Sequence, residues 1–131
     1  MSIGDSASEV GKVRGLGSAR EGGSEWMRER LTSLALLLLG AWFLVSLLLL
    51  PKLDQRSLVE WLRGAGGAVP MALFVITAFW HSVDGLKQVT EDYIPDDTSR
   101  WFVNTVIFFF AVAGASLCLF ALGKITFGAA A

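Results

Sequence analysis

Gly64–Val83 reads GAGGAVPMALFVITAFWHSV, 20 residues without an Asp, Glu, Lys or Arg. A helix rises about 1.5 Å per residue, so a run of this length crosses a hydrocarbon core about 30 Å thick. Two further uncharged runs flank it, Leu31–Leu50 before and the 23-residue Trp101–Gly123 after. The 11 basic and 12 acidic residues all lie outside these runs. With 53% apolar residues and a mean hydropathy of +0.56 over 131 residues, the composition does not fit an ordinary soluble domain. The pattern predicts an all-α membrane protein with three transmembrane helices, spanning about residues 31–50, 66–90 and 100–123.

The middle span is expected to outlast its uncharged run. After Val83 the chain continues DGLKQVTEDY, helix-compatible as far as Pro95, which disfavours helix at Ile94 and ends it. Gly64-Ala65-Gly66-Gly67-Ala68 opens the span with small residues that permit close backbone contact, and Pro70 lies in its first turns. Asp96-Asp97-Thr98-Ser99 reads as a turn, with Asp97 or Ser99 as the expected cap of the third helix. Ala111 and Ala115 form a small-xxx-small pair suited to helix packing. Pro51 stops the first, leucine-rich span, in which Gly40 is a candidate point of close approach.

Residues 1–24 are rich in Gly, Ser and Ala with scattered charges and no apolar period, which predicts a flexible tail ahead of a membrane domain over residues 25–131. A cleaved secretory signal is not expected, since the first hydrophobic run starts some thirty residues in and is too long for one. Ser24 is a candidate cap for a short helix carrying Trp26, Arg28 and Arg30, and Trp26, Trp61 and Trp101 all fall where a headgroup boundary is expected. The lone Cys118 lies inside the third run and is read as a packed thiol. A net charge of −1 gives no basic face for nucleic acid.

Lys12, Arg14, Arg20, Arg28 and Arg30 share a side with Lys87 and Arg100; Lys52, Arg56, Arg63 and Lys124 lie opposite. Positive residues favour the inside, which predicts a cytoplasmic amino terminus in a bacterial inner membrane and a periplasmic carboxyl terminus.

His81 is the only histidine. At 100° per residue, Thr77, His81, Asp84, Gly85, Gln88 and Asp92 fall on one stripe of the middle helix. Ionisable groups in a span face a bundle interior or a cavity, because exposure to lipid is costly. Such a histidine fits an axial haem ligand, a proton relay, or a structural residue bonded to a neighbouring helix. A single histidine excludes a bis-histidine haem held by this chain alone. Gly85, one turn on, leaves room for something large and flat. Asp92-Tyr93 reads either as a solvated acid with an interfacial tyrosine or as a phenol able to donate to a quinone carbonyl. Arg28 and Arg30 return to the same surface, where anionic lipid, haem propionates or Asp92 are candidate partners.

The spacing His81-x-x-x-Gly85-Leu86-x-x-Val89-x-x-Asp92-Tyr93 resembles the signature of the smaller hydrophobic anchor subunit of succinate dehydrogenase, respiratory complex II. Trp26-x-x-x-Arg30-x-Thr32, leading into the first span, is similar to the Arg-x-Thr motif of that family. The resemblance covers roughly residues 26–125. The Ser-Pro-His segment and His-Arg pair of the companion anchor are both missing from this sequence. The resemblance implies that His81 ligates haem b, with the second ligand on the companion cytochrome b anchor. It implies that Tyr93 hydrogen-bonds ubiquinone with Asp92 in support, and that Arg30 lies near the haem propionates or the quinone pocket. It also implies packing with the companion anchor into a helical bundle, and docking of a flavoprotein and an iron–sulfur subunit. The chain alone, with one cysteine, holds no iron–sulfur cluster and is expected to be inactive by itself. The alternatives are an anchor of a fumarate reductase or another cytochrome b complex, and a cofactor-free three-helix structural or assembly protein.

Overall fold

The computed structural model describes residues 22–128. Among these residues four helices follow one another: α1 Gly22–Leu49, α2 Gln55–Arg63, α3 Ala65–Tyr93 and α4 Asp97–Phe127. Three of them, α1, α3 and α4, are long and apolar enough to cross a membrane. No strand occurs among the described residues. The flexible tail expected over residues 1–24 lies almost wholly outside the described residues, as do Lys12, Arg14 and Arg20. At its inner edge α1 has already begun at Gly22, so Ser24 does not start a separate short helix.

Each boundary has a local cause. α1 stops before Pro51, which offers no amide donor and restricts Leu50. The short helix α2 is absent from the sequence-based expectation, which left residues 51–63 as a loop. Asp54 starts it, its Oδ1 accepting from the Ser57 amide at 2.8 Å. Its apolar residues recur at helical spacing, but over too few turns to stand out beside the spans. Gly64 then ends α2 and opens α3: its amide donates to the Trp61 carbonyl, and its own carbonyl accepts from Gly67 and Ala68. Ile94, extended ahead of Pro95, ends α3 as expected. The cap of α4 is Asp96, rather than Asp97 or Ser99; its Oδ2 accepts from the Ser99 amide at 2.8 Å.

α3 is the centre of the arrangement. α1 and α4 pack on it from two sides and hardly meet each other, and α2 crosses the ends of α3 and α4. At the α2–α3 corner Gly67 is buried, and a Cβ there would run into the Trp61 carbonyl. The close approach between α3 and α4 is at Gly114, where a Cβ would come within 2.7 Å of Phe79 Cε1. Ala111 and Ala115, the expected packing pair, line a groove of about 360 Å³ shared by α3 and α4, with Arg28 of α1 at its edge. Gly40 is not a tight contact, since a Cβ there would meet Phe74 at 4.0 Å. Two hydroxyls tie helices together near their ends: Thr90, buried, donates toward the Lys87 carbonyl and Asn104 Oδ1, and Thr126 toward the Leu122 and Leu62 carbonyls.

A soluble chain of this length would hide most of its large apolar side chains. Among the described residues only Ala68 and Leu122 are buried apolar side chains, while Leu48, Phe110 and Phe120 are among many left open. Such a surface requires an apolar surrounding, lipid or a partner helix. Cys118, expected to be packed, is on this exposed surface. Trp26 and Trp101 are exposed at the ends of their helices, consistent with headgroup anchors. Trp61 serves a different purpose: it stacks on Trp42 at 5.4 Å and leans on Phe43, clamping α2 to α1.

Candidate functional site

The polar residues of α1 and α3 meet in a single seam. Glu25, Arg28, Glu29 and Thr32 share one face of α1 by their helical spacing; His81, Asp84 and Gln88, with Lys87 beside them, share one face of α3. The helices run antiparallel, so the amino-terminal turns of α1 meet the carboxyl-terminal half of α3. Lys87 Nζ pairs with Glu25 Oε1 at 3.2 Å, and Gln88 donates to Glu29. Arg28 grips Asp84 at two points, and the deepest contact joins Thr32 Oγ1 to His81 Nδ1 at 3.0 Å.

The seam accounts for much of the predicted stripe. His81, Asp84 and Gln88 face α1, although the sequence did not show which neighbour they would meet. Gly85, Asp92 and Tyr93 do not join the seam. A Cβ on Gly85 would meet nothing within 4 Å, and Tyr93 is 81% exposed at the end of α3. The chain thus brings His81 together with Thr32 but leaves Asp92 and Tyr93 presenting their side chains away from it.

The two arginines of the first helix part company. Arg30 lies over the Trp26 ring at 5.5 Å, an exposed cation–π contact at the membrane boundary. Arg28 is the one that crosses to α3, and its partner is Asp84 rather than Asp92. Sequence reasoning passed over this pair. The signal was present in the alternating signs of Glu25, Arg28 and Glu29, which complement Lys87, Asp84 and Gln88 when the helices are laid antiparallel.

His81 is half-buried, and its two ring nitrogens differ. Nδ1 is engaged by Thr32, while Nε2 has no hydrogen-bond partner among the described residues. A neutral imidazole whose Nε2 is unprotonated can bind iron through that atom, and the open space over Gly85 lies one turn along the same helix. The residues present therefore fit a group that would be held through one imidazole nitrogen of this chain. No cluster of three or more His, Cys, Asp or Glu side chains able to hold a bare metal ion occurs among the described residues.

Three spans, two of them joined by a polar seam with a histidine at its deep end, define a multi-pass helical membrane protein with a candidate cofactor ligand. Residues 5–117 match the family model described as succinate dehydrogenase/fumarate reductase transmembrane subunit, and the chain belongs to that family. It is 31% identical over 103 residues to the succinate dehydrogenase hydrophobic membrane anchor subunit of Rickettsia bellii, covering 79% of this chain and 80% of the relative. It is 30% identical over 118 residues to the subunit of the same name from Paracoccus denitrificans, covering 89% and 90%. No solved structure matches the chain. The resemblance drawn from the His81-to-Tyr93 spacing is borne out at the level of the subunit.

Proposed function

We propose that this chain is the membrane anchor of a succinate:quinone oxidoreductase that shares one haem b with a companion cytochrome b anchor and completes a ubiquinone-reduction site. One observation carries the reading: Thr32 engages His81 Nδ1 and leaves Nε2 without a hydrogen-bond partner among the described residues, one turn from the open space over Gly85. Haem b, when bound, supplies an iron centre that takes and gives single electrons. His81 would hold the iron through Nε2, with a further ligand supplied by the companion chain.

Tyr93 donates its phenol O–H to a quinone carbonyl oxygen, favouring charge as it gathers there, and Asp92 orients the neighbouring polar groups. The exposure of Tyr93 supports this, since a phenol satisfied within its own chain would have nothing left to offer. His81 and Tyr93 are about 18 Å apart along a continuous helix, so haem and quinone occupy different depths. Arg30, at the same boundary over Trp26, is available to the propionates or the quinone pocket. The seam end of the bundle is the cytoplasmic face of a bacterial inner membrane, where the flavoprotein and iron–sulfur subunits dock; the carboxyl terminus is periplasmic.

A cofactor-free anchor is the contending reading. It is favoured by the same Thr32–His81 contact, which alone would satisfy one nitrogen of a structural histidine. Affinity purification through this subunit from native membranes separates the two. The proposed complex yields a flavoprotein, an iron–sulfur protein, a companion anchor and a succinate-reducible b-type spectrum. Copurification of the partners without any haem spectrum supports the cofactor-free anchor, and purification of the chain alone contradicts both.

A further inference from the structure

The Thr32 hydroxyl lies between two acceptors and has one proton to give. Glu29 O, on its own helix, is 3.1 Å away, and His81 Nδ1 is 3.0 Å away on α3. The Glu29 carbonyl also accepts the Ser33 hydroxyl at 2.7 Å. Two arrangements are open. If Thr32 donates to Nδ1, the imidazole proton sits on Nε2, where no acceptor faces it among the described residues. If Nδ1 carries the proton, it donates to Thr32 Oγ1, Thr32 donates to Glu29 O, and every donor is matched. A polar hydrogen left unmatched at membrane depth is costly, so the second arrangement is favoured.

We propose that Thr32 is a positioning residue for the haem-binding histidine: it accepts the Nδ1–H of His81, fixing the tautomer and ring orientation in which Nε2 faces the iron. The inference rests on the haem reading above and adds what this chain does to tune the ligand. An acceptor behind a metal-bound imidazole makes the ring more basic, which favours ferric over ferrous iron. Arg28–Asp84 and Lys87–Glu25 hold α1 in register with α3, keeping the hydroxyl opposite the ring.

The test uses the complete complex purified with Thr32→Val, which keeps the shape and removes the hydroxyl, and with Thr32→Ser, which keeps the hydroxyl. Haem per complex, haem midpoint potential and the low-spin ferric electron paramagnetic resonance signal are read for each, with His81→Ala as control. Thr32→Val is expected to weaken haem retention on the order of tenfold. Its midpoint potential is expected to rise; a tenfold shift of preference toward the ferrous form reads as about 59 mV for one electron. Its ferric g values are expected to move as the ring is freed, and Thr32→Ser is expected to match the wild type in all three. If haem depends on His81 but Thr32→Val is silent, or Thr32→Ser shifts as far as Thr32→Val, the positioning role is overturned and the ligand assignment stands. If haem is absent from the wild type or unchanged in His81→Ala, the ligand assignment fails and the positioning role fails with it.

Discussion

Arg28 and Asp84 join α1 to α3 by a two-point ion pair, Nε to Oδ2 at 3.0 Å and Nη2 to Oδ1 at 3.1 Å. The Asp84 side chain is 10% exposed and that of Arg28 41%. The carboxylate therefore depends on the guanidinium more than the reverse. Removing Arg28 alone strands a nearly buried charge, whereas removing both removes the demand as well. A double-mutant cycle on Arg28→Ala and Asp84→Ala, read by denaturation of the solubilised complex, is expected to give a coupling of about 1–3 kcal/mol. Arg28→Lys should restore only part of it, because one ammonium cannot make both contacts. A coupling of zero would mean that the pair does not hold the seam.

Gly114 sets how closely α4 approaches α3. A methyl group there would sit 2.7 Å from Phe79 Cε1, so either the ring turns or the helices separate. Gly114→Ala is expected to destabilise the complex by about 1–3 kcal/mol, the usual range for overpacking. Phe79→Leu should recover most of that loss in the double variant. Melting temperatures of the three proteins check this, and a deficit that persists with Phe79→Leu places the strain elsewhere.

Two carboxylates outside the spans give a pH dependence with a definite sign. Asp54 is held below the ordinary carboxylate range by the Ser57 amide and then its hydroxyl, and Asp96 by the Ser99 hydroxyl and then its amide. A lowered folded-state value means the contribution is fully present above the unfolded value and is lost as pH falls through the folded one. Amide-exchange protection in the first turns of α2 and α4, corrected for intrinsic rates, should be flat from pH 8 to 5 and fall below about pH 4. Asp54→Asn and Asp96→Asn, which keep an acceptor without a titrating charge, should remove that fall. Protection that changes near neutral pH would point to a different group.

Tyr93→Phe removes one hydroxyl from an exposed side chain and breaks no hydrogen bond among the described residues. Quinone reduction by the complex is expected to drop roughly 100- to 1,000-fold, the scale of losing one donor to developing charge. Succinate oxidation with an artificial acceptor should be unchanged, as should haem content. Normal quinone reduction would remove Tyr93 from the site.

The three spans were legible because uncharged length alone specifies them, and Pro95 marked the end of α3 for a reason confined to two residues. Helix α2 was not, since nine residues carry too little periodicity and its cap, Asp54, reads like any loop acid. The site was legible in its residue types but not in its partners. His81 stood out as an ionisable group in an apolar run, yet nothing in the linear order says that Thr32 meets it, because that contact depends on the antiparallel register of α1 on α3. Arg28 and Arg30 illustrate the same limit. Two residues apart on a helix, they project about 200° apart, and only the packing decides that Arg28 turns to α3 while Arg30 turns to Trp26.

Ligation of haem b by His81 is read from a reduced-minus-oxidised spectrum of the complex purified through this subunit. Wild type and His81→Ala are compared at equal flavin content, so that assembly and ligation are read separately. A b-type band is expected in the wild type and is expected to be lost or displaced in His81→Ala. An identical band in both proteins, or no band in the wild type, would contradict ligation by His81.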